Sequence, residues 1–310
     1  MNLQSSRVLI VDDQPANVHV LADALGSDFE LLVAGSAARA LELAPSADLI
    51  LLDVLMPELD GLEVCRRLKA NEVTRRIPVI FVSALEQTED QTQGFEAGAV
   101  DYIVKPINPA IVRARVRTHL ELKAARDLLE RLATHDALTG IANRRRFDEA
   151  LAEEWRRSMR TSHFLTLALA DIDHFKAFND RHGHVGGDTC LRMVAGALQR
   201  LSRRPGELVA RYGGEEFAFL LPDVDLDGAR LFVSRVLGAV AATSVEGLAG
   251  SGTVGVSVGA VTVIPSPLNS LDDALRVADE GLYRAKKTGR HRGVVRDLET
   301  GDSFDVLPGV

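Results

Sequence analysis

The sequence Arg211-Tyr212-Gly213-Gly214-Glu215-Glu216-Phe217 decides how the second half of this chain folds. Apolar runs flank it, Leu208-Val209-Ala210 before and Phe217-Ala218-Phe219-Leu220-Leu221 after. These runs predict two strands, and the glycine pair falls where a two-residue hairpin turn is expected. One interpretation is an ordinary exposed hairpin with a charged shoulder. The other is a site where a phosphate and a divalent cation approach a backbone bare of side chains.

Length and composition predict a globular protein of two domains. The chain has 310 residues, of which 46% are hydrophobic and 26% charged, and its formal net charge is −8. This acidic balance argues against DNA as a partner. Cys65 and Cys190 fall in different predicted domains, so no disulfide framework is expected. No apolar run predicts a signal peptide or membrane insertion, which favours a cytoplasmic protein.

The first half alternates short apolar runs with helical patterns, which predicts a doubly wound, flavodoxin-like parallel sheet. The predicted strands are residues 8–11, 30–33, 49–52, 79–82 and 102–104. Ligand sites in such sheets lie at the carboxyl ends of the strands. Polar residues with chemical potential follow four of these five strands: Asp12, Asp13, Asp53, Ser83 and Lys105.

The three carboxylates among them are expected to converge on one crevice. They would repel each other unless a cation neutralised them, and an all-oxygen site favours Mg²⁺. Lys105 and Ser83 at the same rim would hold a phosphoryl group carried by one carboxylate. Asp53, the central one, is the expected acceptor.

The motifs that carry these residues resemble those of the receiver domain of response regulators, over residues 1–120. They are Val11-Asp12-Asp13, Leu52-Asp53-Val54-Leu55-Met56-Pro57, Val82-Ser83-Ala84 and Val104-Lys105-Pro106. The resemblance implies phosphorylation of Asp53 by a cognate histidine kinase and one Mg²⁺ held by Asp12, Asp13 and Asp53. It also implies a switch read by Ser83, Lys105 and the aromatic Tyr102, and a cis bond between Lys105 and Pro106.

A long helix is predicted to connect the two halves. After Pro109 the chain runs to Ala133 without glycine or proline, with apolar residues at three- and four-residue spacing, enough for a helix of roughly 35 Å over residues 109–133. One interpretation is an amphipathic helix packed on its own domain. Another is a short parallel coiled coil in a homodimer, favoured by Ala125, Leu128 and Leu132 at a/d-like spacing.

A second set of carboxylates is predicted around a strand at residues 164–170. Asp171 follows this strand, and Glu215 and Glu216 of the hairpin are the candidates to meet it. Such a group would bind one or two Mg²⁺ ions against a triphosphate. The groups expected at the phosphates are Lys176, Gly213 and Gly214.

The glycine-rich segment 179–188 is predicted as a loop and a helix start. An amide and a carboxylate, here Asn179 and Asp188, can together read a guanine edge. The alternative is a metal cluster of His182, His184 and Asp188, which has no cysteine partner. Farther on, Lys286 and Arg290 lie on one helical face or at its end, where they are either phosphate contacts or part of a solvated basic face.

Together these motifs resemble the GGDEF-domain diguanylate cyclases, whose α+β domain is similar to that of nucleotide cyclases, over residues 134–295. With the first half, the chain resembles a response-regulator cyclase of the WspR type. The resemblance implies two Mg²⁺ ions held by Asp171, the backbone of Ile172, Glu215 and Glu216. It assigns guanosine to Asn179, His184 and Asp188, the reacting phosphate to Lys176, and the outer phosphates to Lys286 and Arg290. Glu215 is the implied base for the 3′-hydroxyl.

The implied reaction joins two GTP molecules into cyclic di-GMP and releases two pyrophosphates. Because each 3′-hydroxyl attacks the α-phosphate of the other GTP, two cyclase domains must face each other, and a homodimer is part of the chemistry. Phosphorylation of Asp53 would act through the linker helix. The alternative is a catalytically silent response regulator that binds GTP or cyclic di-GMP and acts as an interaction scaffold.

Two further expectations concern the edges of the second half. The family's product-inhibition motif, Arg-x-x-Asp, aligns with Arg204-Pro205-Gly206-Glu207, where the acid is one methylene longer and Pro-Gly alters the backbone. Arg235 is a candidate second contact for inhibitory cyclic di-GMP. Residues 296–310 are expected to form a loosely ordered tail.

Overall fold

The computed structural model describes residues 6–57, 59–83, 88–243 and 254–308. Within it the chain divides into two compact units, Met1–Leu129 and Glu130–Val310.

The N-terminal unit is a five-stranded parallel sheet with the strand order β2-β1-β3-β4-β5. Its elements are β1 (Arg7–Val11), α1 (Pro15–Leu25), β2 (Glu30–Ala34), α2 (Ala37–Leu43), β3 (Leu49–Asp53), α3 (Gly61–Ala70), β4 (Val79–Ser83), α4 (Thr88–Glu96), β5 (Asp101–Val104) and α5 (Pro109–Thr134). All five predicted strands are present, each within one residue of its predicted bounds. The doubly wound fold is therefore confirmed.

The central strands of this sheet are buried on both faces, as the continuous apolar runs of a parallel sheet require. Every residue of β3 and β4 is buried, including the terminal Asp53 and Ser83. The following helix, α3, begins where the Asp60 carboxylate accepts a hydrogen bond from the Glu63 N–H at 2.7 Å, which is a side-chain N-cap. The Gly61 N–H donates to the Val54 carbonyl at 2.9 Å, so the start of α3 lies next to the end of β3, where Asp53 occupies the carboxyl edge of the sheet.

Helix α5 confirms the predicted linker. It begins in the N-terminal unit and continues without a break to Thr134. Its first half buries Val112, Val116 and Leu120, whereas Leu128 and Leu132 of its second half are 50% and 63% exposed. Among the described residues, neither α5 nor any other helix is both long enough and apolar enough to span a membrane.

The C-terminal unit is a mixed seven-stranded sheet with the order β12-β11-β10-β7-β9-β8-β6. Its elements are β6 (Ala142–Asn143), α6 (Arg144–Thr161), β7 (Leu165–Ile172), α7 (Phe175–Gln199), β8 (Leu208–Gly213), β9 (Glu216–Pro222), α8 (Leu226–Ala241), β10 (Val256–Val263), α9 (Leu271–Lys287), β11 (Gly293–Asp297) and β12 (Ser303–Val306). Strand β7 is antiparallel to both of its neighbours, β10 and β9. Hydrophobic clusters lie on both faces of the sheet.

The hairpin of β8 and β9 forms as predicted, but its turn lies one residue later than the glycine pair. Gly213 ends β8 and pairs with Glu216, so that Gly214 and Glu215 form the turn. Gly214 has a φ of 50°, a left-handed value that favours glycine. A bulge between Arg211 and Gly213 supplies the extra residue and causes this shift.

The expectation of a loosely ordered tail is wrong. Strand β12 pairs antiparallel with β11, and β11 pairs with β10, so residues up to Val306 form the edge of the sheet. Arg284 of α9 donates to the Asp305 carboxylate at 3.0 Å, and Val306 is buried. The acidic composition of the tail gave no sign of the short strand β12, whose apolar residue Val306 packs into the core.

The segment predicted as a glycine-rich loop is mostly helical. Helix α7 runs through it, with one non-helical residue, Gly183, at φ 72° and ψ 170°. The positive φ at this glycine breaks the helix into two parts without a loop between them. Asn179 therefore lies in the first part and Asp188 in the second.

Candidate active site and phosphorylation site

Three carboxylates meet at the carboxyl edge of the N-terminal sheet. Asp12 and Asp13 follow β1, Asp53 ends β3, and one oxygen of each lies within 4.8 Å of the others. Asp12 and Asp53 are only 1% and 4% exposed. The sequence prediction of a shared crevice is confirmed for all three residues.

Lys105 bridges two of these carboxylates. Its ammonium nitrogen lies 3.1 Å from Oδ2 of Asp12 and 3.2 Å from Oδ2 of Asp53. The residue follows β5, and its bond to Pro106 is cis, as the family resemblance implied. A positive charge thus lies against two of the three carboxylates.

The electrostatics of this crevice fit a divalent cation. Burial raises the pKa of Asp53, the charge of Lys105 opposes that rise, and the neighbouring Asp12 adds to it. Oδ1 of Asp13 is buried without a hydrogen-bond partner, which is costly unless a ligand satisfies it. An all-carboxylate oxygen set with one unsatisfied oxygen suits Mg²⁺.

The predicted switch residues lie on the two neighbouring strands. Ser83 ends β4 and is fully buried, and its carbonyl accepts a hydrogen bond from the Lys105 N–H at 2.9 Å. Tyr102 in β5 pairs in register with Phe81 and is 8% exposed. Ser83 and Lys105 therefore share one edge of the sheet, while Tyr102 packs into the core beside them.

In the C-terminal unit, strand register brings the second carboxylate pair together. Asp171 of β7 lies directly opposite Glu216 of β9, and residues opposite each other in an antiparallel pair share one face of the sheet. The N–H of Ile172 donates to the Glu215 carbonyl at 3.4 Å, which ties the end of β7 to the hairpin turn. The predicted meeting of Asp171 with the hairpin is thus confirmed.

Lys286 of α9 neutralises part of this negative charge, with its ammonium 2.8 Å from Oδ2 of Asp171. Burial raises the pKa of Asp171, and the negative charge of Glu215 adds to the rise while Lys286 opposes it. Burial likewise raises the pKa of Glu216, with Asp171 as a second cause. Carboxylates whose charges are this costly attract a cation.

This second group is looser than the first. Among the described residues, only Asp12, Asp13 and Asp53 bring three such ligand atoms within 4.8 Å of one another. The alternative metal cluster of His182, His184 and Asp188 therefore has no support in the described structure.

Asn179 is held in a position that leaves its amide oxygen unsatisfied. Oδ1 of Asn179 is buried without a hydrogen-bond partner. A Cβ atom on Gly187 would lie 1.8 Å from this oxygen, so any larger residue at position 187 would displace the Asn179 amide. Asp188 follows Gly187 in the second part of α7. Lys176, on the same part of α7 as Asn179, and His184 are exposed.

A clamp between Arg211 and Asp136 fixes the hairpin, and sequence reasoning missed it. The Arg211 guanidinium donates to the Gly214 carbonyl at 2.8 Å and to both Asp136 oxygens at 3.1 and 3.2 Å. Burial acts to raise the pKa of Asp136, but hydrogen bonds from Thr139 and Arg211 outweigh it and lower the pKa. Arg211 belongs to the quoted hairpin motif, but Asp136 lies 75 residues away in sequence, so no local pattern linked the two.

A second missed contact lies behind the strand end. The Asp173 carboxylate accepts a hydrogen bond from the Ser257 hydroxyl at 2.7 Å and another from the His291 N–H at 2.9 Å. It therefore links the start of β10 to the segment after α9. Both partners are far from Asp173 in sequence, so no local pattern pointed to them.

Comparison with known proteins identifies both units. Residues 133–292 match the model of the diguanylate cyclase GGDEF domain, and residues 8–117 match the response regulator receiver domain. The chain belongs to the GGDEF diguanylate cyclase family. The five-stranded unit is its receiver domain, and the seven-stranded unit is its GGDEF domain.

The similar proteins include one that is named a response regulator and one that is named a diguanylate cyclase. Response regulator PleD of Caulobacter vibrioides is 31% identical over 294 residues, which cover 92% of this chain and 64% of PleD. Diguanylate cyclase DgcP of Pseudomonas aeruginosa is 34% identical over 71% of this chain and 32% of DgcP. The chain thus spans less than two thirds of the length of these relatives.

A solved structure agrees with the GGDEF domain. The coiled coil and GGDEF domain of DgcB from Caulobacter crescentus, in complex with c-di-GMP, superposes with a TM-score of 0.54 at 30% identity. The match covers 61% of this chain and 98% of that chain.

In the GGDEF domain the residues aligned with the inhibition motif are engaged with one another. The Glu207 carboxylate accepts hydrogen bonds from the N–H groups of Arg203 and Arg204 at 2.7 and 3.0 Å, whereas the Arg204 side chain is 76% exposed. Arg235 lines a separate cavity of about 670 Å³ with three other arginines. These are Arg192, Arg200 and Arg203.

Proposed function

We propose that this chain is a phosphorylation-regulated diguanylate cyclase, which condenses two GTP molecules into cyclic di-GMP and two pyrophosphates. The observation that carries the proposal is the register of β7 and β9, which sets Asp171 opposite Glu216 at the end of a glycine turn. The membership of the GGDEF family supports it.

The residues expected to hold two Mg²⁺ ions in the GGDEF domain are Asp171, the Ile172 carbonyl, Glu215 and Glu216. The raised pKa values of Asp171 and Glu216 fit this role, because a metal removes the cost that burial imposes on their charges. Bound Mg²⁺ would neutralise charge on the phosphates and polarise the reacting one.

The remaining side chains would bind and orient GTP. Asn179 offers a buried, unpartnered oxygen, and with Asp188 and His184 it would hold the guanosine. Lys176 would stabilise charge at the reacting phosphate, and Gly213 and Gly214 would bring backbone donors to it. Lys286 and Arg290 would hold the outer phosphates.

The chemical step needs a base and a second domain. A carboxylate oxygen of Glu215 would take the proton of the 3′-hydroxyl of one GTP. The 3′-oxygen of that GTP would then form a bond to the α-phosphorus of the other GTP. The bond from α-phosphorus to the bridging oxygen breaks, and pyrophosphate leaves. Each chain contributes one GGDEF domain, so the proposed enzyme is a homodimer with two half-sites.

Regulation would begin at Asp53. Its phosphorylation by a histidine kinase would place a dianion beside Lys105 and Ser83, the two groups at the same sheet edge. Helix α5 would carry the change to the GGDEF domain, because it is continuous from Pro109 to Thr134.

The test is turnover of GTP by the purified chain with Mg²⁺, with and without beryllofluoride as a phosphoryl mimic. We expect cyclic di-GMP, more of it with beryllofluoride, and none from Glu215→Gln. The exposed Glu299 provides the matched control, Glu299→Gln, which should retain activity.

The control for regulation is Asp53→Ala, which should not respond to beryllofluoride. Absence of cyclic di-GMP under all conditions, with GTP still bound, would favour the silent receptor. Absence of GTP binding as well would favour an interaction scaffold.

A further inference from the structure

A cationic cavity of about 610 Å³ lies beside the candidate active site in the GGDEF domain. We call it the histidine–arginine cavity. Its polar lining consists of Asp173, His174, Arg181, His182, Arg290 and His291. Nothing in the reaction proposed above uses Arg181 or any of these three histidines.

The lining of the cavity carries one carboxylate against two guanidinium groups. Asp173 is the one carboxylate in its lining, and both of its oxygens are engaged, by the Ser257 hydroxyl and the His291 N–H. Arg181 and Arg290 face it with guanidinium groups that always carry charge. An excess of cations in a chain of net charge −8 indicates an anionic ligand.

His291 adds an independent sign of a ligand. Its Nδ1 is buried and has no hydrogen-bond partner, although it lies against Gly255, where a Cβ would be 3.2 Å away. Both residues line the cavity. A buried polar nitrogen is costly when unsatisfied, so a group bound in the cavity would complete it.

The aromatic wall argues against a nucleobase as the occupant. Phe178 stacks with Phe175 at a centroid distance of 6.3 Å and contacts the His182 ring at 4.6 Å. Phe178 therefore already contacts two rings of the protein itself. This favours the arginines of the cavity, rather than Phe178, as the groups that bind a ligand.

The cavity is continuous with the site of the chemistry. Ile172, whose carbonyl is expected to hold Mg²⁺, and Arg290, expected at the outer phosphates, both line it. We propose that the histidine–arginine cavity binds the inorganic pyrophosphate that the reaction releases, with Arg181 and His291 as its ligands away from the GTP site. The proposal rests on the proposed function for the source of its ligand.

The test is calorimetric titration of the full chain with pyrophosphate in the presence of Mg²⁺. We expect Arg181→Ala to bind pyrophosphate about tenfold more weakly, since it loses a charge-assisted hydrogen bond, and His291→Ala to bind it about threefold more weakly. Both variants should change the affinity for a non-hydrolysable GTP analogue by a smaller factor. Arg156→Ala, an exposed arginine of α6 outside the cavity, is the control and should bind like the wild type.

The outcomes separate this proposal from the proposed function. Equal pyrophosphate affinity in the wild type and both variants would overturn it, even if the chain makes cyclic di-GMP. Equal affinity for orthophosphate and pyrophosphate would also overturn it, because the cavity would then be a general anion site. Weaker pyrophosphate binding in both variants would support it, even if no cyclic di-GMP formed.

Discussion

Carboxylates with raised pKa values mark both candidate sites at the level of single residues: Asp53 and Asp171 are buried, whereas Glu216 is exposed at the start of β9. Asp53, Asp171 and Glu216 share burial as the largest cause of the rise. In each case a lysine, Lys105 or Lys286, offsets part of the cost. We therefore expect both sites to be stabilised when a divalent cation binds, as the proposed function requires.

The raised pKa of Asp53 predicts a stability that depends on pH. The folded chain holds this proton more tightly than the unfolded one, so the contribution is fully present below the unfolded pKa, near 3.8, and is lost as pH rises through the folded pKa. In EDTA at pH 7, Asp53→Asn should therefore raise the free energy of unfolding of the receiver domain, and at low pH it should not. Urea denaturation followed by circular dichroism measures this.

In excess Mg²⁺ the wild type should have the higher free energy of unfolding, because the wild type binds the metal more tightly than Asp53→Asn does. Asp23→Asn, an exposed carboxylate of α1, is the control and should change little. A metal-free Asp53→Asn variant less stable than the wild type at pH 7 would contradict the argument.

Lys286 is predicted to set the acid limb of the activity profile. Removing its charge should raise the pKa of Asp171 further, so that a higher pH is needed before the carboxylate can bind metal. In Lys286→Ala, cyclic di-GMP formation should fall about tenfold or more near neutral pH and recover in part as pH rises. Rates measured across pH test this.

Lys287→Ala is the matched control, because the Lys287 ammonium lies over the Tyr283 ring at 5.4 Å and not against a carboxylate. Acid limbs that coincide in Lys286→Ala and the wild type would show that Lys286 does not act on Asp171.

Feedback inhibition is predicted to depend on Arg204 and Arg235. Each exposed guanidinium can pair with a phosphate of cyclic di-GMP, and Glu207 already holds the turn beside Arg204. Arg204→Ala and Arg235→Ala should each raise the product concentration that halves the rate. Arg230→Ala on α8, where Arg230 pairs with Asp227, should not. Unchanged product inhibition in both variants would show that Arg204 and Arg235 do not bind inhibitory cyclic di-GMP.

Residue types and their order were enough to predict most of the candidate site. Motifs at strand ends identified Asp53 and Asp171, because parallel and antiparallel strands alike deliver their terminal residues to a sheet edge. Partners distant in sequence, such as Ser257 for Asp173 and Asp136 for Arg211, could not be found in this way. They depend on which strands lie side by side, and no local pattern encodes that.

At the level of elements, periodicity predicted the strands of the receiver domain and the course of α5. It failed where composition and structure disagreed. Glycines led to a predicted loop in α7, although only Gly183 leaves the helical conformation. Acidic residues led to a predicted loose tail, although β12 pairs with β11.

Strand β12 is predicted to contribute to the stability of the GGDEF domain. Val306 is 8% exposed, so Val306→Ala removes two buried carbon groups and should cost about 1.6 kcal/mol at roughly 0.8 kcal/mol each. Thermal or urea unfolding of the full chain measures the loss. The neighbouring Leu307 is 61% exposed, and Leu307→Ala should cost much less. Equal effects of the two changes would place β12 outside the cooperative unit.

At the scale of the whole molecule, the proposed chemistry requires two copies of the chain. The second half of α5 exposes Leu122, Leu128, Leu129 and Leu132, a concentration of apolar surface that a monomer rarely leaves uncovered. The double variant Leu128→Gln, Leu132→Gln should shift the chain toward the monomer and lower cyclase activity with it. Analytical ultracentrifugation and turnover at matched concentrations measure both.

The control for this prediction is Glu121→Gln with Arg131→Gln, two exposed positions on α5 whose joint change leaves the net charge unaltered. It should keep the oligomeric state of the wild type. A double leucine variant that remains as dimeric as the wild type would show that the dimer forms elsewhere.

The pairing of Asp171 with Glu216 also limits how this gene product can change in length. Successive side chains of a strand point to opposite faces, so deleting one residue within β9 would turn Glu216 or the apolar residues after it to the wrong face. Substitutions in β9 can be absorbed one at a time, but a single-residue deletion cannot. We therefore expect lengths to vary among active homologues in the loops that flank the hairpin and to stay constant between Glu216 and Pro222.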